Sequence, residues 1–176
     1  MSNVSQFIGA GWIPLETIEV TSAVTTVDFD SNINDTFNNY VVTGTHTLSS
    51  TVSGTTIKCR LKTGDPSAII NTGYRSLQTY VPSFTTTSTN IIVSEAIISE
   101  NSGSFITYFM NLRSGDQFKS IVSQGTGYIS GTTMYVRNYT NALQQDTSII
   151  NGIQIFVAGG LTFNTGKFTL YGIQEL

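Results

Sequence analysis

The sequence predicts an all-β protein, a jelly-roll-like sandwich of about eight to ten antiparallel strands. Three observations lead there. Apolar and polar residues alternate in short runs, with no stretch at helical spacing. Clusters of Gly, Ser, Asn and Asp punctuate those runs at short intervals. The composition is rich in β-formers yet poor in charge: charged residues make up 11% of the 176, against about 25% in an average globular chain. Thr, Ser and Asn, about a third of the residues, replace them. Ten Phe and eight Tyr separate the chain from disordered sequences of low charge.

In chain order, strands are expected over 15–21, 25–29 and 39–48. The clearest follows in "TTIKCRLKT" (55–63), where Ile57, Cys59 and Leu61 share one face and Lys58, Arg60 and Lys62 the other. Residues 83–90, "SFTTTSTN", read as a polar loop. Strands resume over 91–98, 104–112, 118–123 and 133–139. Ile153, Ile155 and Val157 then alternate with Gln154, Phe156 and Ala158, and Phe168 and Leu170 face away from Thr169 and Tyr171. Both faces of these last two strands are fairly apolar. That places them in the middle of a sheet, or with one face on a neighbouring subunit. Turns are expected at 53–56, 63–66, 71–73, 101–104, 113–116, 130–133 and 164–166. The likeness of "VSGTTIKC" (52–59) to "ISGTTMYV" (129–136) is what a Thr-rich chain produces at hairpin entries. Residues 1–14 form an N-terminal arm, and 15–176 a single sandwich domain.

A search for reaction chemistry returns little. "DFDSNINDT" (28–36) spaces Asp28, Asp30, Asn32, Asn34 and Asp35 like oxygen ligands, but Ile33 stands where a calcium loop needs glycine and Asn39 where it needs a closing Glu. A surface turn accounts for it. His46, the single histidine, has no Cys or His nearby to share a metal. The single Cys59 sits on an apolar strand face and reads as a small buried hydrophobe. No phosphate loop, dinucleotide fingerprint or nucleophile elbow occurs. Neither a cofactor nor a metal is expected, and no catalytic residue is assigned. Trp12, Tyr40, Tyr74, Tyr80 and Tyr128 are candidate sugar-stacking groups, if exposed.

Eight basic residues and a net charge of −3 argue against a nucleic-acid partner. No run of about 18 apolar residues suggests a membrane span. The N-terminus "MSNVSQFIGAGW" lacks the basic and apolar regions of a secretory signal, which fits folding in a reducing cytoplasm.

The stretch "SIINGIQIFVAGGLTFNTGKFTLYGI" (148–173) resembles a closing pattern of tailed-bacteriophage virion structural proteins. Ile150, Ile153, Ile155 and Val157 are followed by Gly166, Phe168, Leu170, Tyr171, Gly172 and Ile173. "NNYVVTGTHTLSS" (38–50), "IKCRLKTGDPS" (57–67) and "NTGY" (71–74) are similar to the same family upstream. The resemblance covers about half the chain. It implies a jelly-roll-like sandwich on a phage particle, non-enzymatic and oligomeric, often trimeric, contacting a major capsid protein or tail proteins. Head decoration is the leading expectation; a tail adaptor, baseplate or fibre part, or a carbohydrate-binding module for host glycans, are the alternatives. The expected interface residues are Phe7, Ile8, Trp12 and Ile13 in the arm, with Phe156, Tyr171 and Ile173 on the closing strands.

Overall fold

The structure is a computed structural model, which describes residues 11–49, 55–64, 68–78, 81–96, 102–129 and 133–174. The described residues form thirteen strands: β1 (Trp12–Val20), β2 (Thr26–Phe29), β3 (Asn39–Leu48), β4 (Thr55–Thr63), β5 (Ala68–Ile69), β6 (Tyr74–Gln78), β7 (Val81–Ser88), β8 (Ile91–Ala96), β9 (Ser102–Met110), β10 (Lys119–Ile129), β11 (Thr133–Gln144), β12 (Ile150–Val157) and β13 (Phe163–Ile173). They make two antiparallel sheets in a sandwich-like arrangement. The large sheet runs β1-β13-β3-β9-β10-β11-β6-β7, and the small one β2-β12-β4-β5, with β8 also paired to β4.

The alternation read in β4 is the alternation observed: Ile57, Cys59 and Leu61 are fully buried. They meet Ile153 and Ile155 of β12, whose other neighbours are Val27 and Phe29 of β2. The large sheet contributes Tyr40, Val42, Phe105, Phe109, Ile121, Phe168 and Leu170 to the same core. Tyr74 links the sheets directly, since its phenol oxygen accepts a hydrogen bond from the Leu61 N–H at 2.8 Å. β12 and β13 each have strands on both sides, an interior position consistent with their apolar content, although the outer face of β13 also carries Thr165, Lys167 and Thr169.

Four expectations differ from what is found, the first being the turn at 101–104, because β9 already begins at Ser102. The segment 83–90 is not a loop, since β7 covers most of it. Thr is a good strand former, and β7 ends the order of the large sheet, where Pro82 is tolerated because an edge strand can lack a ladder donor. The "NTG" at 164–166 lies inside β13 and not in a turn, with a register irregularity between Phe163 and Thr165 absorbing the extra residue. The sandwich also starts before residue 15: Trp12, Ile13 and Pro14 pair with Ile173, Gly172 and Tyr171. The arm can therefore include at most the residues before β1.

Candidate recognition face on the large sheet

Strand alternation sends Phe168 and Leu170 of β13 inward and Thr169 and Tyr171 outward. Register then sets what lies beside Tyr171 on the outer face. Pro14 of β1 is on one side and Val41 of β3 on the other; beyond Val41 come Tyr108 of β9 and Val122 of β10. Trp12, two residues before Pro14, leans over this row. Its ring centroid is 5.7 Å from that of Tyr171 and 5.8 Å from that of Tyr108, the latter edge-on. Both separations suit attractive aromatic pairing. Val41, flanked by the two tyrosines, is fully buried, whereas Trp12 keeps 41% of its surface exposed.

One row along, Thr169, Thr43 and Ile106 lie in register, followed by Lys167, Thr45 and Ser104. These two rows and Tyr171 enclose a depression of about 350 Å³, lined by Thr43, Thr45, Ser104, Lys167, Thr169 and Tyr171, with Gly44 and Phe105 beneath. The hydroxyls are partly organised. Thr169 Oγ1 lies 3.1 Å from Thr17 Oγ1, and Ser104 Oγ 2.8 Å from Thr126 Oγ1. The Lys167 ammonium is 3.4 Å from the Glu19 carboxylate, with both side chains mostly exposed. The face thus combines an aromatic ridge with a hydroxyl-lined hollow whose one cation has its own counter-ion. Tyr108 and the threonines were not singled out in the sequence. The signal was available in "SFITYFM" (104–110), where Tyr108 falls out of phase with the inward Phe105 and Phe109.

Of the expected interface residues, Trp12, Tyr171 and Ile173 come together, Ile173 being the register partner of Trp12. Ile13 is 39% exposed, on the opposite side of β1 by alternation. Phe156 belongs to the small sheet, where the Arg60 guanidinium lies 4.2 Å over its ring. It is therefore remote from the aromatic ridge and already capped by its own chain. Phe7 and Ile8 lie outside the described residues. Of the aromatic residues expected for sugar stacking, Tyr40 and Tyr74 are fully buried and Trp12 is exposed on this face. Tyr80 lies outside the described residues, as does the side chain of Tyr128.

The titratable groups fall into structural roles. Lys62 reaches Asp28 at 2.5 Å and Asp30 at 2.9 Å, so the apparent cation loop is neutralised by an ammonium from β4. Burial alone would raise the Asp28 pKa, but hydrogen bonds from Lys62, Gln154 and Thr26, with the Lys62 charge, hold it below the ordinary value. Asp35 pairs with Arg113, and the Asn34 carboxamide oxygen accepts from the Thr36 N–H. Among the described residues no group of three acidic, His or Cys side chains could hold a metal. His46 lies inside the sandwich against Phe105 and Phe163, with neither ring nitrogen hydrogen-bonded, and burial pushes its pKa down to about 4. Burial raises the Cys59 thiol pKa well above its usual value, which keeps the group a thiol.

No family model matches the chain, and no curated protein does. Solved structures do. An exo-inulinase from Aspergillus awamori is similar over 96% of this chain and 31% of its own, at 8% identity and a TM-score of 0.51. A glycoside hydrolase of family GH43 with an engineered active site matches over 91% of this chain and 34% of its own, at 8% identity and a TM-score of 0.40. The CBM2 module of the evolved Dit of Lactobacillus casei BL23 phage J-1 matches over 93% and 77%, at 9% identity and a TM-score of 0.35. The chain spans about a third of the inulinase it matches. At this identity that likeness speaks to the fold alone, a two-sheet β architecture.

Proposed function

We propose that the protein is a non-enzymatic structural component of a tailed-phage virion, carried on the particle exterior, with the outer face of its large sheet as the working surface. The observation that supports this most is the meeting of Trp12, Tyr171 and Ile173 on one face. These residues lie at opposite ends of the chain, and all three are expected contacts from the sequence: Trp12 in the apolar N-terminal segment, Tyr171 and Ile173 on the closing strand. Aromatic side chains half open to solvent beside a face of low charge are what recognition surfaces are made of. The titratable groups described above are tied into ion pairs or buried without a reaction partner, so the reading is binding rather than catalysis.

Head decoration is the finer assignment, with attachment through the segment before β1, whose sequence carries Phe7 and Ile8. Self-association as a trimer, and contact with a major capsid protein, belong to the same proposal. The test is light scattering of the purified protein, then sedimentation with stripped particles, with and without residues 2–10. The deletion stops there because Trp12 already belongs to β1. The expected result is a stable trimer that sediments with empty heads, and a folded truncation that does not. Binding to tails alone would move the protein to the tail. A monomer that binds neither would overturn the virion reading, and a truncation that still binds heads would overturn the arm.

A further inference from the structure

The hollow beside the aromatic ridge has a chemistry of its own. Its floor is built on β13, β3 and β9, three strands interior to the large sheet, so its side chains sit on rigid supports. Thr43, Thr45, Thr169 and Ser104 place hydroxyls on a grid set by the sheet, roughly 4.8 Å between strands and 6.8 Å along them. Each hydroxyl can donate once and accept twice, so the pairings of Thr169 with Thr17 and Ser104 with Thr126 leave capacity unused. Tyr171 forms one wall, backed by Trp12, and offers an aromatic face. Lys167 is the one charged lining residue, and Glu19 lies within ion-pair distance of it.

Hydroxyl floor, aromatic wall and locally balanced charge fit one ligand class. A pyranose ring has one face of C–H groups that can lie against an aromatic ring, and an edge of hydroxyls that exchange hydrogen bonds with Thr and Ser. A purely apolar peptide would leave the floor hydroxyls unsatisfied on burial, which is unfavourable. A phosphate or other strong anion would find a cation already beside a carboxylate. The volume lies at the low end of ligand pockets, roughly 300–1,000 Å³, with room for one or two sugar rings.

We propose that the depression lined by Thr43, Thr45, Ser104, Thr169 and Tyr171 is a binding subsite for a neutral saccharide. The inference rests on the reading of this face as the working surface, and it names the occupant. A virion protein with such a subsite would touch the sugar polymers of a cell surface.

The test uses the full chain. Trp12 is the only tryptophan and stands 5.7 Å from Tyr171, so its emission reports on the site. The probes are an array of neutral oligosaccharides of glucose, galactose, mannose, rhamnose and N-acetylhexosamines, with uronic-acid and sialylated oligomers for comparison. Hits are titrated by tryptophan fluorescence. We expect a neutral oligosaccharide to bind with a dissociation constant below millimolar. Tyr171→Ala should weaken it at least tenfold, Thr45→Val and Thr43→Val several-fold, and Tyr171→Phe, which keeps the ring, only slightly. The Thr→Val changes are nearly isosteric and favour strand, so the fold survives them. No array binding at millimolar sugar, binding confined to acidic sugars, or binding indifferent to Tyr171→Ala and Thr45→Val would each overturn the inference. A protein that sediments with particles but binds no sugar would overturn this subsite and leave the virion reading standing. One that binds sugar but no particle would do the reverse.

Discussion

His46 is the chain's one histidine, and it is packed between Phe105 and Phe163 with no hydrogen-bond partner on either nitrogen. Gly103 closes the pocket, since a Cβ there would stand 2.9 Å from the imidazole. The two phenyl rings and the Gly103 backbone offer no charge or acceptor to compensate an imidazolium. Burial holds the folded pKa at about 4 against 6.5 in the open chain. Below pH 6.5 the unfolded state takes up a proton that the folded state refuses until about pH 4. The unfolded state then binds more protons, so stability falls as pH falls through that window. One pKa unit corresponds to about 1.4 kcal/mol, and between pH 7 and 5 the loss comes to about 2 kcal/mol. With a urea m-value of about 2 kcal/mol per molar, the midpoint should drop by about 1 M. The assay is urea unfolding of wild type and His46→Leu at pH 7, 6 and 5, followed by tryptophan fluorescence. Wild type should lose stability steadily, and the leucine variant should be nearly flat. Parallel slopes in the two proteins would refute the reasoning, because they would assign the loss to other groups.

Other substitutions probe the core and the site floor. Tyr74→Phe removes the acceptor of the Leu61 N–H between the sheets, and chemical denaturation should show a loss of about 1–3 kcal/mol. Gly44→Ala places a Cβ 2.5 Å from Phe105 and 3.0 Å from Phe168. It should cost about 1–3 kcal/mol in the same assay, and it disturbs the hollow from beneath. On the alkaline side, Tyr40, Tyr74 and Cys59 all have pKa values raised by burial. The unfolded chain releases those protons first, so stability should fall as pH climbs above about 9, with the Tyr74 phenol titrating later than a free tyrosine.

What the sequence made legible follows from distance along the chain. Local alternation sufficed for β4, because Ile57, Cys59 and Leu61 carry a period-two pattern that few other structures satisfy. It pointed to the interior placement of β12 and β13, one of the two placements their apolar content allowed. It failed for β7, where an edge strand rich in Thr has the polarity of a loop. It failed at Phe156 for a different reason. Apolar residues on two closing strands look alike in sequence, yet β12 and β13 belong to different sheets, and only pairing partners remote in the chain decide that. The same holds for the hollow. Thr43, Ser104 and Thr169 are unremarkable threonines and serines until β13, β3 and β9 bring them side by side.

The cluster at Asp28, Asp30 and Lys62 shows how one small residue can set an electrostatic arrangement. Lys62 is on β4 and the two aspartates are on β2 and just past it, with β12 between them. The ammonium reaches across because β12 has Gly152 at the crossing. A Cβ there would stand 2.5 Å from Asp30 Oδ1 and 3.0 Å from Lys62 Cδ. The Lys62 side chain is 9% exposed, while Asp28 and Asp30 are 29% and 43% exposed, so the bridge is screened on the carboxylate side. Lys62→Met keeps the aliphatic cover and removes the charge, leaving Asp28 desolvated with no counter-ion. The expected loss at pH 7 is about 1–3 kcal/mol, and the Asp28 pKa should rise. The sign of the acid limb separates this from His46. Asp28 is held below its usual 3.8, so its contribution is present above that value and lost as pH falls through the lowered folded pKa. Lys62→Met should therefore flatten the stability curve below about pH 4 while leaving the slope between pH 7 and 5 unchanged. Gly152→Ala should reproduce the first effect by steric means. A Lys62→Met protein with an unaltered acid limb would show that the bridge, though well formed, is not what protects β2 against acid.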